Sequence, residues 1–168
     1  NAMIPFRPVI QPFLDAIEVG RISPAQVYRF TTVPLQFVYP WKRPVEATPV
    51  THVLSRLPRP RTVAIIVSDA GAASQIYNRE RVHKTHEFLE CLAPCVQQVI
   101  WLNPLPPSRW PYSSAIAISD FLQGRMYSLS HETTAHILAD RHRRFLPTAQ
   151  PLPSRQLDTV PVGVGGGL

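Results

Sequence analysis

Residues 61–75 read RTVAIIVSDAGAASQ and carry the clearest structural signal in the chain. The apolar run from Val63 to Val67 is followed at once by Ser68, Asp69 and a series of small residues. A continuous apolar run of this length is typical of a parallel strand that is buried on both faces. We therefore predict a buried strand over Thr62 to Val67, with a carboxylate where the strand meets a loop. Local chemistry leaves three roles open for Asp69: a turn residue, a catalytic acid or a metal ligand.

Helical and strand patterns alternate on both sides of this strand. The predicted helices cover residues 8–19, 48–57, 79–92, 113–122 and 132–145, and the predicted strands cover residues 26–33, 35–39, 62–67, 96–102 and 125–129. In the second helix we expect Thr48 to be the N-cap and Pro49 to be the first helical residue. Such alternation predicts an α/β domain with a doubly wound, mostly parallel Rossmann-like sheet and helices on both faces.

The composition fits one domain, because 168 residues with 45% apolar residues can bury a single core. The 17 basic and 11 acidic residues give a net charge of +6. This charge permits contact with nucleic acid or acidic partners, but its scattered distribution favours a solvated surface. Cys91 and Cys95 lack the spacing of a paired metal knuckle and are expected to be free thiols. No apolar run approaches the roughly 18 residues of a membrane span, so we expect a cytoplasmic protein without membrane contact.

Several short motifs resemble catalytic or metal signatures and fail on spacing or context. The sequence HETTAH at residues 131–136 places its histidines five apart, whereas a zinc-protease helix needs them four apart. His83, His86 and Glu87 share a predicted helix and would form a weak metal site or, more simply, a solvated helix face. Ser68 lacks the flanking glycines of a nucleophile elbow, and the chain has no phosphate-binding glycine loop.

Asp69 and Thr48 are the candidate metal ligands. Ligands of open parallel sheets bind outside the carboxyl ends of the strands, and Asp69 is predicted at such an end. Thr48 begins a helix in a neighbouring loop, so its hydroxyl would face the same crevice. A carboxylate and a hydroxyl are hard oxygen donors that suit Mg²⁺ or Mn²⁺. The alternative, in which Asp69 only caps its own turn, is about equally well supported by local chemistry.

The order of these pieces resembles a von Willebrand factor type A domain, and most of all the bacterial CoxE-like branch. Five stretches carry the resemblance, at residues 4–17 (IPFRPVIQPFLDAI), 27–38 (VYRFTTVPLQFV), 47–57 (ATPVTHVLSRL), 65–71 (IIVSDAG) and 99–106 (VIWLNPLP). The last stretch is the most specific match to the family pattern, which reads Trp-Leu-Asn-Pro. In the family a strand ends in Ser-Asp-Gly, and here the order is Ser68-Asp69-Ala70-Gly71, so the loop after Asp69 departs from the pattern.

The resemblance implies a function as well as a fold. It implies a non-enzymatic protein-binding module in which serine, threonine and aspartate oxygens hold a divalent metal and a partner's carboxylate completes the shell. Thr48 and Asp69 occupy the matching positions. CoxE-like proteins are associated with MoxR-type AAA+ ATPases in the maturation or remodelling of protein complexes, so such an ATPase is the implied partner. Two other functions stay open: a metal-dependent hydrolase that uses Asp69, and a basic nucleic-acid-binding protein.

The family's first strand, with its Asp-x-Ser-x-Ser motif, has no counterpart in this sequence. We expect Asn1 and Ala2 to be the scar of a cleaved tag, residues 3–146 to form the domain without its first strand, and residues 147–168 to be a Pro/Gly-rich tail. Loss of that strand would leave two half-sheets with open edges. The tail segment TVPVGV, or the same segment from a second copy, would pair with such an edge, and a homo-oligomer could form through the edges or the tail. With only Thr48 and Asp69 present, we expect Mg²⁺ or Mn²⁺ to bind this chain weakly or not at all.

Overall fold

The structure is a computed structural model that describes residues 6–19, 25–58, 62–130 and 132–133. Over these residues the chain is a mixed α/β protein with one parallel and one antiparallel sheet. The helices are α1 (Arg7–Glu18), α2 (Val50–Leu54), α3 (Arg79–Leu92) and α4 (Ser114–Phe121). The strands are β1 (Tyr28–Arg29), β2 (Phe37–Pro40), β3 (Thr48–Pro49), β4 (Val63–Val67), β5 (Gln98–Asn103) and β6 (Met126–Ser128).

The parallel sheet has the strand order β4-β5-β6. Its register pairs Ile65 with Ile100 and Leu102 with Tyr127. The connection from β4 to β5 contains α3, and the connection from β5 to β6 contains α4. Both crossovers step in the same direction across the sheet, so the usual right-handed connection places both helices on one face. The opposite face must then be covered by elements from elsewhere in the chain.

The two faces of the parallel sheet belong to two separate apolar clusters. The larger cluster joins Ile66 and Trp101 to Phe88 of α3 and Ile118 of α4. The smaller cluster joins side chains of the other face to Phe13 of α1. Helices therefore cover both faces of the sheet. The side chains of Ile100 and Leu102 in β5 are 0% exposed, so the core is centred on this strand.

The antiparallel sheet has the order β1-β2-β3 and contributes Val38 to the larger cluster. β1 lies within the predicted strand at residues 26–33, β2 overlaps the predicted strand at residues 35–39, and the two pair antiparallel. The first strand is much shorter than the predicted residues 26–33, because the chain turns at Thr32, whose φ is +67°. A β-branched residue rarely adopts such a φ, and alternation of residue types did not reveal this bend.

The predicted start of the second helix is wrong by one to two residues. Thr48 belongs to β3 and pairs with Val38, and Pro49, not Thr48, is the N-cap of α2. The first helical N–H, that of Val50, donates to the main-chain oxygen of Gln36 at 2.9 Å. The carbonyl of the residue just before β2 therefore satisfies this donor, and no side chain caps the helix.

Strand β4 is confirmed at Val63–Val67, but its environment differs from the prediction. Only Ile66 is buried, and the other four residues are half-buried. Within the described residues β4 pairs with β5 alone and lies at the edge of the parallel sheet, whereas burial on both faces is typical of an interior strand. By contrast, α3 has the predicted bounds, and Asn78 caps it by accepting a hydrogen bond from the Arg81 N–H at 2.9 Å.

Some predictions fall outside the described residues. These are the tag scar at residues 1–2, the tail at residues 147–168 and its suggested pairing with a sheet edge, and the HETTAH histidines. Of the predicted last helix only residues 132–133 are described. None of the helices in the described part of the chain has the length and apolar character needed to cross a membrane.

Candidate functional site

The loop after β4 is a tight turn that Asp69 itself organises. The Asp69 main-chain oxygen accepts a hydrogen bond from the Ala72 N–H at 2.8 Å, and its Oδ2 accepts one from the Ala73 N–H at 3.1 Å. Ala70 and Gly71 both have positive φ angles, of 52° and 88°. The Asp69 residue is only 7% exposed. The turn-residue role is thus real, and it uses one carboxylate oxygen, Oδ2.

Asn103 ties this loop to the end of the neighbouring strand. Its Nδ2 donates to the Asp69 main-chain oxygen at 3.0 Å, and its Oδ1 accepts from the Leu105 N–H at 2.9 Å. The side chain is 0% exposed. The Trp101 Nε1 makes a second link by donating to the Ser68 main-chain oxygen at 2.8 Å. The side chains of Asn103 and Trp101 therefore hold the carboxyl ends of β4 and β5 together.

Two helix N-termini meet at the same edge of the sheet. Ser113 caps α4 by accepting from the Ala115 N–H at 3.2 Å. The Ser114 hydroxyl accepts from the Asn78 N–H at 2.8 Å and donates to the Asn78 main-chain oxygen at 3.3 Å. This contact joins the start of α4 to the N-cap of α3. We call the region around Asp69, Asn103 and Ser114 the carboxyl-edge site.

Arg81 brings positive charge to the carboxyl-edge site. A Cβ atom added at Gly71 would lie 2.7 Å from the Arg81 Nη1 atom, so the guanidinium group lies against the loop after β4. The Arg81 Nε is buried and has no hydrogen-bond partner. The ion pairs within 4 Å in the described part of the chain include neither Arg81 nor Asp69. One cation and one carboxylate therefore share this region without neutralising each other directly.

Thr48 is half-buried in β3, on the antiparallel sheet. No hydrogen bond joins it to Asp69 among the described residues, and the two candidate ligands lie on different sheets. The sequence thus placed Asp69 correctly at the carboxyl end of a parallel strand.

The described residues of the site supply few of the oxygen ligands that a resident Mg²⁺ or Mn²⁺ ion needs. Such ions need six oxygen ligands, and carboxylates supply most of the affinity. Asp69 offers one carboxylate, of which Oδ2 already accepts the Ala73 N–H, and Thr48 offers a neutral hydroxyl. The nearby guanidinium of Arg81 opposes a second cation. Within the described ranges, no three His, Cys, Asp or Glu side chains come together as metal ligands.

The histidine cluster on α3 faces solvent and a neighbouring helix. His83 and Glu87 are exposed. His86 lies 3.6 Å from the Glu90 carboxylate and packs on the Phe121 ring, with 4.2 Å between ring centroids. His86 also lines a shallow cavity at the amino ends of the parallel strands, opposite the carboxyl-edge site. The simpler interpretation, a solvated helix face, agrees with these contacts.

Sequence reasoning missed most of the carboxyl-edge site. Asn103 was noticed only as part of a family motif, and Ser114 and Arg81 were not considered. One signal in the sequence indicates Asn103. This polar residue directly follows the apolar run of β5, much as Asp69 comes shortly after the apolar run of β4. A serine pair before an apolar helical segment, here Ser113 and Ser114, is likewise a typical helix start.

The chain was compared with family models, curated proteins and solved structures. No family model, no curated protein and no solved structure matches it.

Proposed function

We propose that this chain is a non-enzymatic protein-binding module of the von Willebrand factor type A kind, with CoxE-like motifs and a doubly wound, Rossmann-like body. One observation carries the proposal: a buried carboxylate, Asp69, lies at the carboxyl end of a parallel strand beside Asn103 at the end of the next strand. In open α/β sheets this edge is where ligands bind. The five sequence stretches that resemble the family support the same assignment.

The surroundings of Asp69 favour binding over catalysis. Its hydrogen bonds come from main-chain N–H groups and from the Asn103 amide, which are groups that position rather than activate. Catalytic carboxylates are commonly tuned by a neighbouring titratable group that shifts their pKa. Among the described residues the hydrogen bonds of Asp69 involve no His, Cys, Lys or Tyr side chain. A hydrolase therefore has less support than a binding module.

The proposed partner is a protein, namely a MoxR-type AAA+ ATPase or a complex that such an ATPase remodels. Asp69 and the guanidinium of Arg81 offer charges of both signs at the carboxyl-edge site, and neither has an ion-pair partner in the described part of the chain. Charged groups of this kind add specificity when a partner supplies the opposite charge. The proposed contact involves these two side chains directly.

The test is a binding measurement with Asp69→Asn. This change removes the negative charge but keeps an Oδ acceptor for the Ala73 N–H, so the loop after β4 should keep its shape. The matched control is Asp120→Asn, which removes an exposed carboxylate on α4. Binding of the purified MoxR-type ATPase from the same organism is measured by biolayer interferometry, with and without ATP.

We expect Asp69→Asn to weaken this binding by about tenfold or more, because a lost charge-assisted contact is worth about 1.5–3 kcal/mol. Asp120→Asn should bind like the wild type. Equal binding by wild type and Asp69→Asn would exclude the carboxyl-edge site as the contact. An absence of binding by the wild type would exclude the ATPase as the partner.

A further inference from the structure

The outer edge of β4 presents main-chain groups that have no partner within the described residues. Thr62 and Ser68, which flank the strand, both bond to the chain of β5: the Gln97 N–H donates to the Thr62 oxygen at 2.8 Å, and the Ser68 N–H donates to the Leu102 oxygen at 3.1 Å. Peptide groups alternate in direction along a strand. Residues 64 and 66 therefore also point to β5, whereas Val63, Ile65 and Val67 point to the open edge.

This edge lacks the devices that usually prevent strand pairing. Natural edge strands carry charges, prolines or bulges, or they are covered by another element. The sequence of β4 is Val-Ala-Ile-Ile-Val, and its register with β5 runs without a bulge over all five residues. It has the composition of an interior strand but occupies an edge position among the described residues. Such a conflict between local sequence and position indicates that a further strand completes the sheet.

We propose that the missing neighbour is β4 of a second copy of this chain, paired antiparallel about a two-fold axis at Ile65. In this register Val63 lies opposite Val67 of the second copy, and Ile65 lies opposite itself. These are the three residues whose main-chain groups point outward, so each pair exchanges two hydrogen bonds and no outward group of β4 is left over. The strand is self-complementary in this arrangement, as a two-fold interface requires.

The side chains agree with this occupant. All five residues of β4 are apolar, so no like charges meet across the proposed interface. Val63, Ile65 and Val67 pack on the cluster that includes Phe13, and Ile66 packs on the cluster with Val38. Four of the five side chains are only half-buried, which leaves apolar surface on both faces for the paired strand to cover. The dimer would join two parallel sheets into one sheet of six strands.

Val63→Pro tests the edge without disturbing the inner hydrogen bonds. Proline is tolerated as the first residue of a strand and on an edge whose N–H faces outward, and Val63 meets both conditions. The change removes one outward donor from each copy. Val63→Ala is the matched control, because it loses the same side-chain packing but keeps the N–H group. Circular dichroism verifies that both variants fold.

Two measurements read the result: molar mass by sedimentation over a range of concentrations, and amide hydrogen exchange by NMR at low and high concentration. We expect the wild-type mass to rise from 18.9 kDa to twice that value. As the mass rises, the amides of Val63, Ile65 and Val67 should become protected from hydrogen exchange. The amides of Ala64 and Ile66 should be protected at every concentration. Val63→Pro should dimerise about tenfold more weakly, or more weakly still, than Val63→Ala.

Three outcomes would overturn the proposal. The first is a monomer at every concentration whose three outward amides exchange freely, which would mean an open edge. The second is a monomer in which these amides are protected, which would mean that a segment of the same chain covers the edge. The third is a dimer that Val63→Pro and Val63→Ala weaken equally, which would place the interface elsewhere.

Discussion

Replacing Asn103 by alanine should destabilise the protein strongly, although no ligand is involved. The Asn103 amide is 0% exposed and bridges the Asp69 main-chain oxygen and the Leu105 N–H. The Asp69 oxygen keeps its second donor, the Ala72 N–H, so losing the Asn103 donor should cost only about 1 kcal/mol of unfolding free energy. The Leu105 N–H loses its side-chain acceptor and costs about 1–3 kcal/mol if it stays dry.

The sum for Asn103→Ala is about 2–4 kcal/mol before any cavity term. For a chain of this size each kcal/mol lowers the melting temperature by about 2–4 °C, so we expect a fall of about 4–16 °C. Urea unfolding followed by tryptophan fluorescence gives the free energy directly. Gln97→Ala is the control, because Gln97 is exposed and its loss should change stability by less than about 0.5 kcal/mol.

The variant Asn103→Asp distinguishes the two hydrogen bonds that the Asn103 side chain makes. An aspartate keeps an acceptor for the Leu105 N–H but loses the donor to the Asp69 oxygen and buries a charge. We expect it to be less stable than Asn103→Ala at pH 7. Burial raises the pKa of the new carboxyl, so stability should recover as the pH falls through that raised pKa, and the recovery should be complete at about pH 4, because the protonated carboxyl can donate again. If Asn103→Ala stayed within 0.5 kcal/mol of the wild type, the amide would not be what holds the two strand ends together.

Two further predictions concern single positions with clear controls. Gly71→Ala should cost about 1 kcal/mol more than Gly124→Ala in urea unfolding; both residues have positive φ, but only at Gly71 would the new Cβ meet the Arg81 side chain, at 2.7 Å. Equal costs would show that Arg81 moves aside freely. Burial raises the pKa of the Tyr127 phenol, so its contribution to stability is complete below about pH 10 and is lost as the pH rises through the folded-state pKa. Tyr127→Phe should therefore flatten the alkaline fall in unfolding free energy, and parallel pH profiles for the two proteins would contradict this.

The sequence predicted best those elements whose ends are set by neighbouring residues. The bounds of α3 followed from local chemistry, because Asn78 caps the helix from the position directly before it. The start of α2 did not, because the partner of the Val50 N–H is the oxygen of Gln36, which lies just before β2 and is distant in sequence. A Thr-Pro pair looks like a helix start in isolation, and only the tertiary pairing of Thr48 with Val38 shows that it is a strand.

The same distinction explains the partial success with the site. An apolar run followed by Asp69 is a local pattern, so its placement at a strand end was predictable. The join between Asp69 and Asn103 spans 34 residues, and the contact of Ser114 with Asn78 spans 36. Such contacts depend on the strand order and on the face that each crossover helix covers. The apolar composition of β4 predicts that another element covers it, but it does not show which element lies beside it.

The carboxyl-edge site joins structural and binding roles in one place, and the proposed variants separate them. Asn103 is fully buried and acts on the fold alone, so Asn103→Ala should lower stability without a separate effect on binding by the molecules that remain folded. Asp69 has both roles, because Oδ2 holds the Ala73 N–H while the charge remains without an ion-pair partner among the described residues. Asp69→Asn keeps the first role and removes the second. Lost binding with unchanged stability in Asp69→Asn, together with the reverse pattern in Asn103→Ala, would identify the Asp69 charge as the recognition element.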